Sequence, residues 1–305
     1  LSAPAADPPI PTPTPRWIDL ALLLLLATLW GCAYTFTKVA VESIPPLTIA
    51  AVRVTVAGAL LGVYIAYRGE RIPRTAATWR RLFVQGCLNS IIPFTLIAWG
   101  QQHIDSGLAG ILNATPPLFV LLITWLWTRH EPITGRKLAG VVSGLAGVTL
   151  IIGVDALGGL GTHTVAQIAI TAASVSYAGA VIYGHRHVDI TPAAIAAGTL
   201  ICATLVLVPA SLVFDAPWTL TPSLHAILAV AALAVFSTGI ALMIYFRLLR
   251  TLGSMGLASN SYLRAGISVL LGVVFLGEQL TATVIGGLVL IVAGVAAIVG
   301  VVRRG

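Results

Sequence analysis

Apolar residues in this chain run in stretches long enough to cross a bilayer. The breaks between them are polar or rich in glycine and proline, as at Pro45-Pro46, Arg68 to Arg74, Asp155 to Gly161, Thr191-Pro192 and Pro217 to Pro222. A hydrocarbon core about 30 Å thick takes about 20 helical residues to span. The pattern predicts ten such helices, near 17–38, 47–67, 81–101, 106–128, 135–154, 166–184, 192–213, 224–248, 255–276 and 281–302. Residues 1–16 precede them with prolines at 4, 8, 9, 11, 13 and 15 and no apolar period, which predicts a disordered, extended tail. The stretch opening at Leu20 to Leu26 runs on too long for a cleavable signal segment.

Composition sharpens this into a class. Of 305 residues, 58% are hydrophobic and 9% charged, against about half and about a quarter in a soluble domain; mean hydropathy is +0.98. A water-soluble enzyme is excluded, and the expected fold is an all-α polytopic membrane protein whose first partner is the lipid bilayer. The basic balance, 17 Lys and Arg against 10 Asp and Glu, does not point to nucleic acid, because the cations interrupt apolar stretches instead of forming one face. On the side of the N-terminus fall Arg16, Arg68, Arg71, Arg74, Arg80, Arg81, Arg129, Arg136, Lys137, Arg186, Arg247, Arg250, Arg303 and Arg304. The four opposite loops carry no Lys or Arg, which predicts a multi-pass protein of the cytoplasmic (inner) membrane with both termini cytoplasmic. Cys32, Cys87 and Cys202 lie in apolar spans and read as small core residues rather than a disulfide framework.

The chain also repeats itself. A shift of 147 residues lays Asn113 on Asn260, Glu131 on Glu278, Thr134 on Thr281, Gly140 on Gly287, Gly147 on Gly294 and Gly153 on Gly300. Asn and Glu are scarce here, so their agreement carries the signal. Five spans per half is odd, so the second half is inverted: a first five-helix repeat at 17–154, a linker at 155–165 and a second repeat at 166–302. The charges agree, since Arg129, Arg136 and Lys137 around Glu131 become Leu276, Thr283 and Val284 around Glu278. Inverted repeats of this kind build many secondary transporters, with substrate held near the midplane between the halves.

Trp30-Gly31 followed by Lys38, the Pro45-Pro46 turn and Arg53 in Ala50-Ala51-Val52-Arg53 resemble the first two helices of EamA-type members of the drug/metabolite transporter superfamily. Leu108 to Pro117, Glu131 with the glycine-bearing span after it, and Leu276-Gly277-Glu278 in the second half extend the resemblance over 17–302. It implies a ten-helix metabolite exporter, with amino-acid exporters of the YddG type among the similar members, in which spans 5 and 10 are peripheral scaffolding. One departure is that the column of Pro117 holds Arg264 in the second half.

Polar groups inside the membrane need reasons, because a central charge costs about 2.5–3.5 kcal/mol on insertion scales. Arg264 lies about 13 Å into its span at 1.5 Å per residue. With Asn260 and Ser268 it makes a stripe at i, i+4, i+8. It suits two roles, binding neighbouring carbonyls to lock helices together or binding an anion on a watered path. Trp30, Tyr34 and Lys38 form a second such stripe, which fits either a cavity wall or an interfacial aromatic belt. Lys38 and Arg53, nearer span ends, can also snorkel to the outer headgroups. Gln85, Asn89 and Pro93 share a face that must meet protein or water. Asn113, Thr115, Pro116 and Pro117 mark a broken helix, because adjacent prolines free backbone carbonyls that need partners. Tyr177, Ser237 and Tyr245 suit core packing or a cavity. Glu131 and Glu278, just before helix starts marked by Thr134 and Thr281, suit a structural role at the positive end of the dipole. The glycines of the fifth and tenth spans suit close helix packing.

No carboxylate falls in mid-span, so Lys38, Arg53 and Arg264 give the interior a positive bias. That favours a small-molecule substrate bearing a carboxylate, such as an aromatic or other apolar amino acid, over a lipophilic cation. The expected activity is secondary transport outward by alternating access. No cofactor is implied, His185 and His187 point apart on a helix and suggest no metal, and a monomer suffices. An intramembrane enzyme lacks a motif for its nucleophile or metal, and a receptor lacks a sensor domain.

Overall fold

The computed structural model describes residues 17–100, 103, 112–128, 132–152, 160, 163–184, 190–267 and 281–299. The tail 1–16, most of the linker 155–165, Glu131, Ser268 and Glu278 lie outside them. The elements are α1 (Trp17–Val41), α2 (Pro46–Tyr67), α3 (Ala76–Gly86), α4 (Ile92–Gly100), α5 (Pro116–Ile123), α6 (Gly135–Ile152), α7 (Thr164–Gly184), α8 (Pro192–Phe214), α9 (Leu224–Ala234), α10 (Ala241–Ala258), α11 (260–267) and α12 (Ala282–Val299). The described residues form an all-helical, multi-pass membrane fold. Four stretches, Pro46–Tyr67, Thr164–Gly184, Pro192–Phe214 and Leu224–Ala258, are each long and apolar enough to cross a bilayer, and three shorter apolar helices accompany them. The spans expected at 106–128 and 255–276 fall partly on residues outside those described.

Local chemistry starts the helices where the sequence places them. Pro46, Pro116 and Pro192 stand in the first turn of their helices, where a missing N–H costs nothing. The hydroxyls of Thr75, Thr134, Thr191 and Ser223 accept from the N–H groups of Thr78, Lys137, Ala194 and Ala226. π-helical segments, each carrying one surplus residue, join α3 to α4 (Cys87–Ile91) and α9 to α10 (Val235–Ile240), and a third follows α5 (Thr124–Thr128). Inside α10, Gly253 has φ +72° and ψ 179°, a conformation that suits glycine. It separates the long helix ending at Leu252 from the chain that leads into α11.

The packing is antiparallel and follows the 147-residue offset. α2 lies against α8 with Thr48 at Ser211 and Asp215, Gly58 at Leu200 and Glu70 at Thr191. α6 lies against α12, where a Cβ on Gly140 would stand 2.7 Å from the Gly294 carbonyl and one on Gly147 only 2.6 Å from that of Gly287. Ser143 Oγ donates to the Leu290 carbonyl at 2.8 Å, and these two residues are 147 apart. Exchanging residues by the offset therefore turns the Gly140·Gly294 contact into Gly287·Gly147, which is also present. α1 rests on the α9–α10 unit through Ser237 Oγ to Leu29 O at 2.7 Å. In the same manner α7 rests on α3–α4 through Ser176 Oγ to Leu88 O at 2.8 Å. The contacts of α6 with α12 thus recur at the offset at which the sequence repeats.

Carboxylates clasp the α2·α8 pair at both ends. Asp215 Oδ2 accepts from Thr48 N at 2.7 Å and from Thr48 Oγ1 at 2.8 Å, neutralising the free amides of α2. Glu70 accepts from the Thr191 hydroxyl at the start of α8. The core runs through Leu23, Leu26, Val54, Leu82, Leu200, Leu207, Leu248 and Tyr262. Tyr67 (89% exposed), Trp127 (87%) and Phe214 (76%) point outward, as lipid-facing apolar side chains do.

Candidate functional site

The break before α5 is built from its two prolines. Residues 112–113 are helical, Ala114 and Thr115 leave the helix, and it resumes at Pro116. A helix uses the N–H of residue i for the carbonyl of i−4, so Pro116 and Pro117 orphan the carbonyls of Leu112 and Asn113. Both are taken up. Leu112 O accepts from Thr115 Oγ1 at 2.6 Å and from Ser174 Oγ of α7 at 2.9 Å. Asn113 O accepts from Arg264 Nη2 of α11 at 3.2 Å. Arg264 thus joins the second half of the chain to the broken helix of the first, and keeps part of its surface accessible. Asn260, one turn earlier, is 2% exposed, and neither atom of its amide has a partner among the described residues.

A second interior cation is Arg53, which takes the inward of the two orientations its sequence position allowed. The side chain does not climb toward the headgroups. Its Cζ stacks over the Phe94 ring of α4 at 4.2 Å, and its Nε donates to Thr238 Oγ1 at 2.9 Å. Thr238 lies about 21 Å along the helix from Leu224 at 1.5 Å per residue. The Thr238 hydroxyl spends its own proton on Leu233 O at 2.8 Å, so it can only accept from the guanidinium. The two Nη groups form no hydrogen bond among the described residues and retain accessible surface.

Further aromatic groups lie against the same π-helical segment. Trp30 Nε1 donates to the carbonyl of Ser237 at 3.0 Å, so Trp30 and Arg53 hold consecutive residues of one π-helical segment. The rings of Trp30 and Tyr245 are 5.9 Å apart, and Tyr245 meets Phe246 edge-on at 4.9 Å. Tyr177 lies within electrostatic reach of both Arg53 and Tyr245. The Tyr245 hydroxyl is buried without a partner among the described residues, as are Gln85 Oε1 and Ser90 Oγ. Unpaired buried groups are uncommon, and several in one region mark a place where water or a ligand completes the bonding.

The sequence-derived candidates therefore divide. Trp30 and Arg53 meet adjacent residues of one π-helical segment, with Tyr245 stacked near Trp30 and Tyr177 within electrostatic reach of Arg53 and Tyr245; Arg264 meets Asn113 at the helix break, and Asn260 lies one turn before Arg264. Gln85 and Asn89 are buried on the α3 side, with Gln85 Nε2 donating to Ala180 O of α7 at 3.1 Å, a helix-to-helix bond. Pro116 and Pro117 are buried at the break. Tyr34 and Lys38 are placed only by their backbone in α1, and Ser268, Glu131 and Glu278 lie outside the described residues. Sequence reasoning placed Arg53 among the interior cations but missed its anchors, Phe94 and Thr238. The signal for Arg53 was its charge inside a span with no acid to pair it; nothing in one sequence marked Phe94 or Thr238. Among the described residues, Asp19, Glu42, Glu70 and Asp215 stand at helix ends or in connecting turns, which leaves the interior cationic.

Long apolar helices with lipid-facing exteriors and arginines held between them define a multi-pass membrane protein. The EamA-like transporter family matches this chain twice, over residues 17–153 and 164–300, and the chain belongs to that family. The two matches are themselves 147 residues apart. The chain is 33% identical over 264 residues to the uncharacterized inner membrane transporter YedA of Escherichia coli (strain K12), covering 85% of this chain and 83% of YedA. It is 26% identical over 290 residues to the uncharacterized transporter YvbV of Bacillus subtilis (strain 168), covering 92% and 91%. A solved structure described as "Crystal structure of protein" shares the fold, with TM-score 0.78, 20% identity, and coverage of 94% of this chain and 99% of that one. The protein is a transporter of the inner-membrane, multi-pass kind, not an enzyme.

Proposed function

We propose that this transporter exports small carboxylate-bearing metabolites, foremost aromatic or other apolar amino acids, across the cytoplasmic membrane. Ten helices form two inverted five-helix halves, at 17–154 and 166–302, with both termini cytoplasmic. The halves rock about a central site and open it first to the cytoplasm and then to the exterior. The monomer is the working unit and needs no cofactor. The paired contacts of α6 with α12 and of α2 with α8 support the inverted relation.

The observation that carries the substrate class is the sign of the interior. Arg53 and Arg264 reach inward from opposite halves, while Asp19, Glu42, Glu70 and Asp215 stand at helix ends or in connecting turns. The aromatic surfaces of Trp30, Tyr177 and Tyr245 and the amides of Gln85, Asn89, Asn113 and Asn260 would complete the lining. Arg53, with no described carboxylate beside it, is a cation in a low-dielectric interior and recruits an anion. The rings would receive an apolar side chain.

Reconstitution in liposomes with a labelled panel tests the reading. The panel holds amino acids, other small organic acids and lipophilic cations. Uptake of the carboxylate members above that of empty liposomes is expected. Uptake confined to the cations would overturn it. Arg264→Ala should abolish flux while the protein still inserts and stays monodisperse. Unchanged flux would leave Arg264 with a purely structural role.

A further inference from the structure

We infer that Arg53, and not Arg264, is the residue that grips the substrate's carboxylate. The inference rests on the transporter reading above and narrows it to one guanidinium. The two arginines are employed differently. Arg264 donates to Asn113 O, a carbonyl that Pro117 has deprived of its helical partner. Arg264 is thereby committed through Nη2 to holding the broken helix against α11. Arg53 strands nothing when it binds. Its Nε edge is fastened to Thr238, and Thr238 is oriented by its own bond to Leu233 O. One face is covered by the Phe94 ring at 4.2 Å. What remains is the Nη edge, two amino groups side by side, accessible and without a partner among the described residues.

A guanidinium fixed on its Nε side and its face has lost little freedom still to lose. Its open edge presents parallel N–H donors at the spacing of two carboxylate oxygens. One uncompensated positive charge matches a single carboxylate group. A phosphate dianion would leave net negative charge in the same low-dielectric space. The rest of the molecule would extend along Trp30 and Tyr245, which sit together beside the same π-helical segment. Substrate recognition is thus divided: a planar fork for the acid, aromatic rings for an apolar body. Arg264 is a positioning residue that holds the broken helix of one half to α11 of the other.

The test uses the full chain in liposomes, with labelled L-phenylalanine and its carboxamide as probes. The wild type should take up the acid in preference to the amide. Arg53→Gln should lower uptake of the acid at least tenfold and erase that preference. Arg264→Gln should lower both probes alike and keep it. An Arg53→Gln protein that still prefers the acid overturns the inference. A wild type that carries acid and amide equally also overturns it but leaves the transporter reading intact, whereas a wild type that carries neither probe nor any other acid defeats both. Should Arg53→Gln fail to fold, Thr238→Val keeps the charge and frees Nε. It should raise the KM for L-phenylalanine several-fold with little change in maximal rate, and an unchanged KM refutes the assignment.

Discussion

The contact between α6 and α12 offers the most direct test of the packing. A methyl group placed on Gly294 would sit 2.7 Å from the Gly140 carbonyl oxygen, 2.8 Å from Gly144 N and 3.1 Å from Gly144 Cα. All three are backbone atoms, so no side chain can swing aside. Ordinary contact needs about 3.4 Å or more, and the helices must part by roughly 0.7 Å at the crossing. Overpacking of this kind costs about 1–3 kcal/mol. A gap of 0.5–1 Å also forfeits about a quarter to a half of the dispersion energy between facing atoms. Gly286, in the same helix, provides the control, because a Cβ there meets nothing within 4 Å. Both Gly→Ala changes gain the same helix propensity, up to about 1 kcal/mol. Their difference isolates the steric term. Thermal unfolding of the purified protein in one detergent should therefore rank Gly286→Ala at or above wild type and Gly294→Ala below it. Gly147→Ala, whose Cβ would stand 2.6 Å from the Gly287 carbonyl, should behave like Gly294→Ala. If Gly294→Ala and Gly286→Ala melt together, the close crossing of these helices is wrong.

Three further substitutions probe other links. Pro117→Ala returns an N–H to the helix opposite Asn113 O and competes with Arg264; uptake should fall while the unfolding temperature stays level or rises, and unaltered uptake would remove the helix break from the mechanism. Asp215→Ala strips the cap from Thr48 N and Oγ1 and should cost about 1 kcal/mol, seen as faster hydrogen exchange confined to the first turn of α2. Tyr262→Phe deletes the bond from its hydroxyl to Val141 O. It should destabilise by about 0.5–1.5 kcal/mol in a melt, without altering the preference between acid and amide.

How much of this could be read from the chain depends on the range of the forces involved. Helix ends were legible because capping is local: Thr75, Thr134, Thr191, Ser223 and the first-turn prolines act within three or four residues of themselves. The offset of 147 was legible from Asn, Glu and Gly alone and reappears in the Ser143 to Leu290 bond. The need for partners at Leu112 and Asn113 followed from Pro116 and Pro117. Their identity, Ser174 and Arg264, did not.

Arg53 shows where the reading stopped. From sequence it could rise to the headgroups or turn inward, and both suited its depth. In a soluble helix the apolar stripe tells which side faces the core. Here lipid tails are as apolar as the protein interior, so lipid-facing and buried positions carry the same residues and no stripe discriminates. The inward turn was decided by Phe94 and Thr238, which sequence distance separates from Arg53 by 41 and 185 residues. Hydrophobic length and the recurrence of scarce Asn and Glu at one offset, both properties of the chain itself, determined that this is a multi-pass membrane protein whose sequence repeats. Which interior groups are spoken for and which stay open depended on helices meeting across the bundle, and only the tertiary structure could decide that.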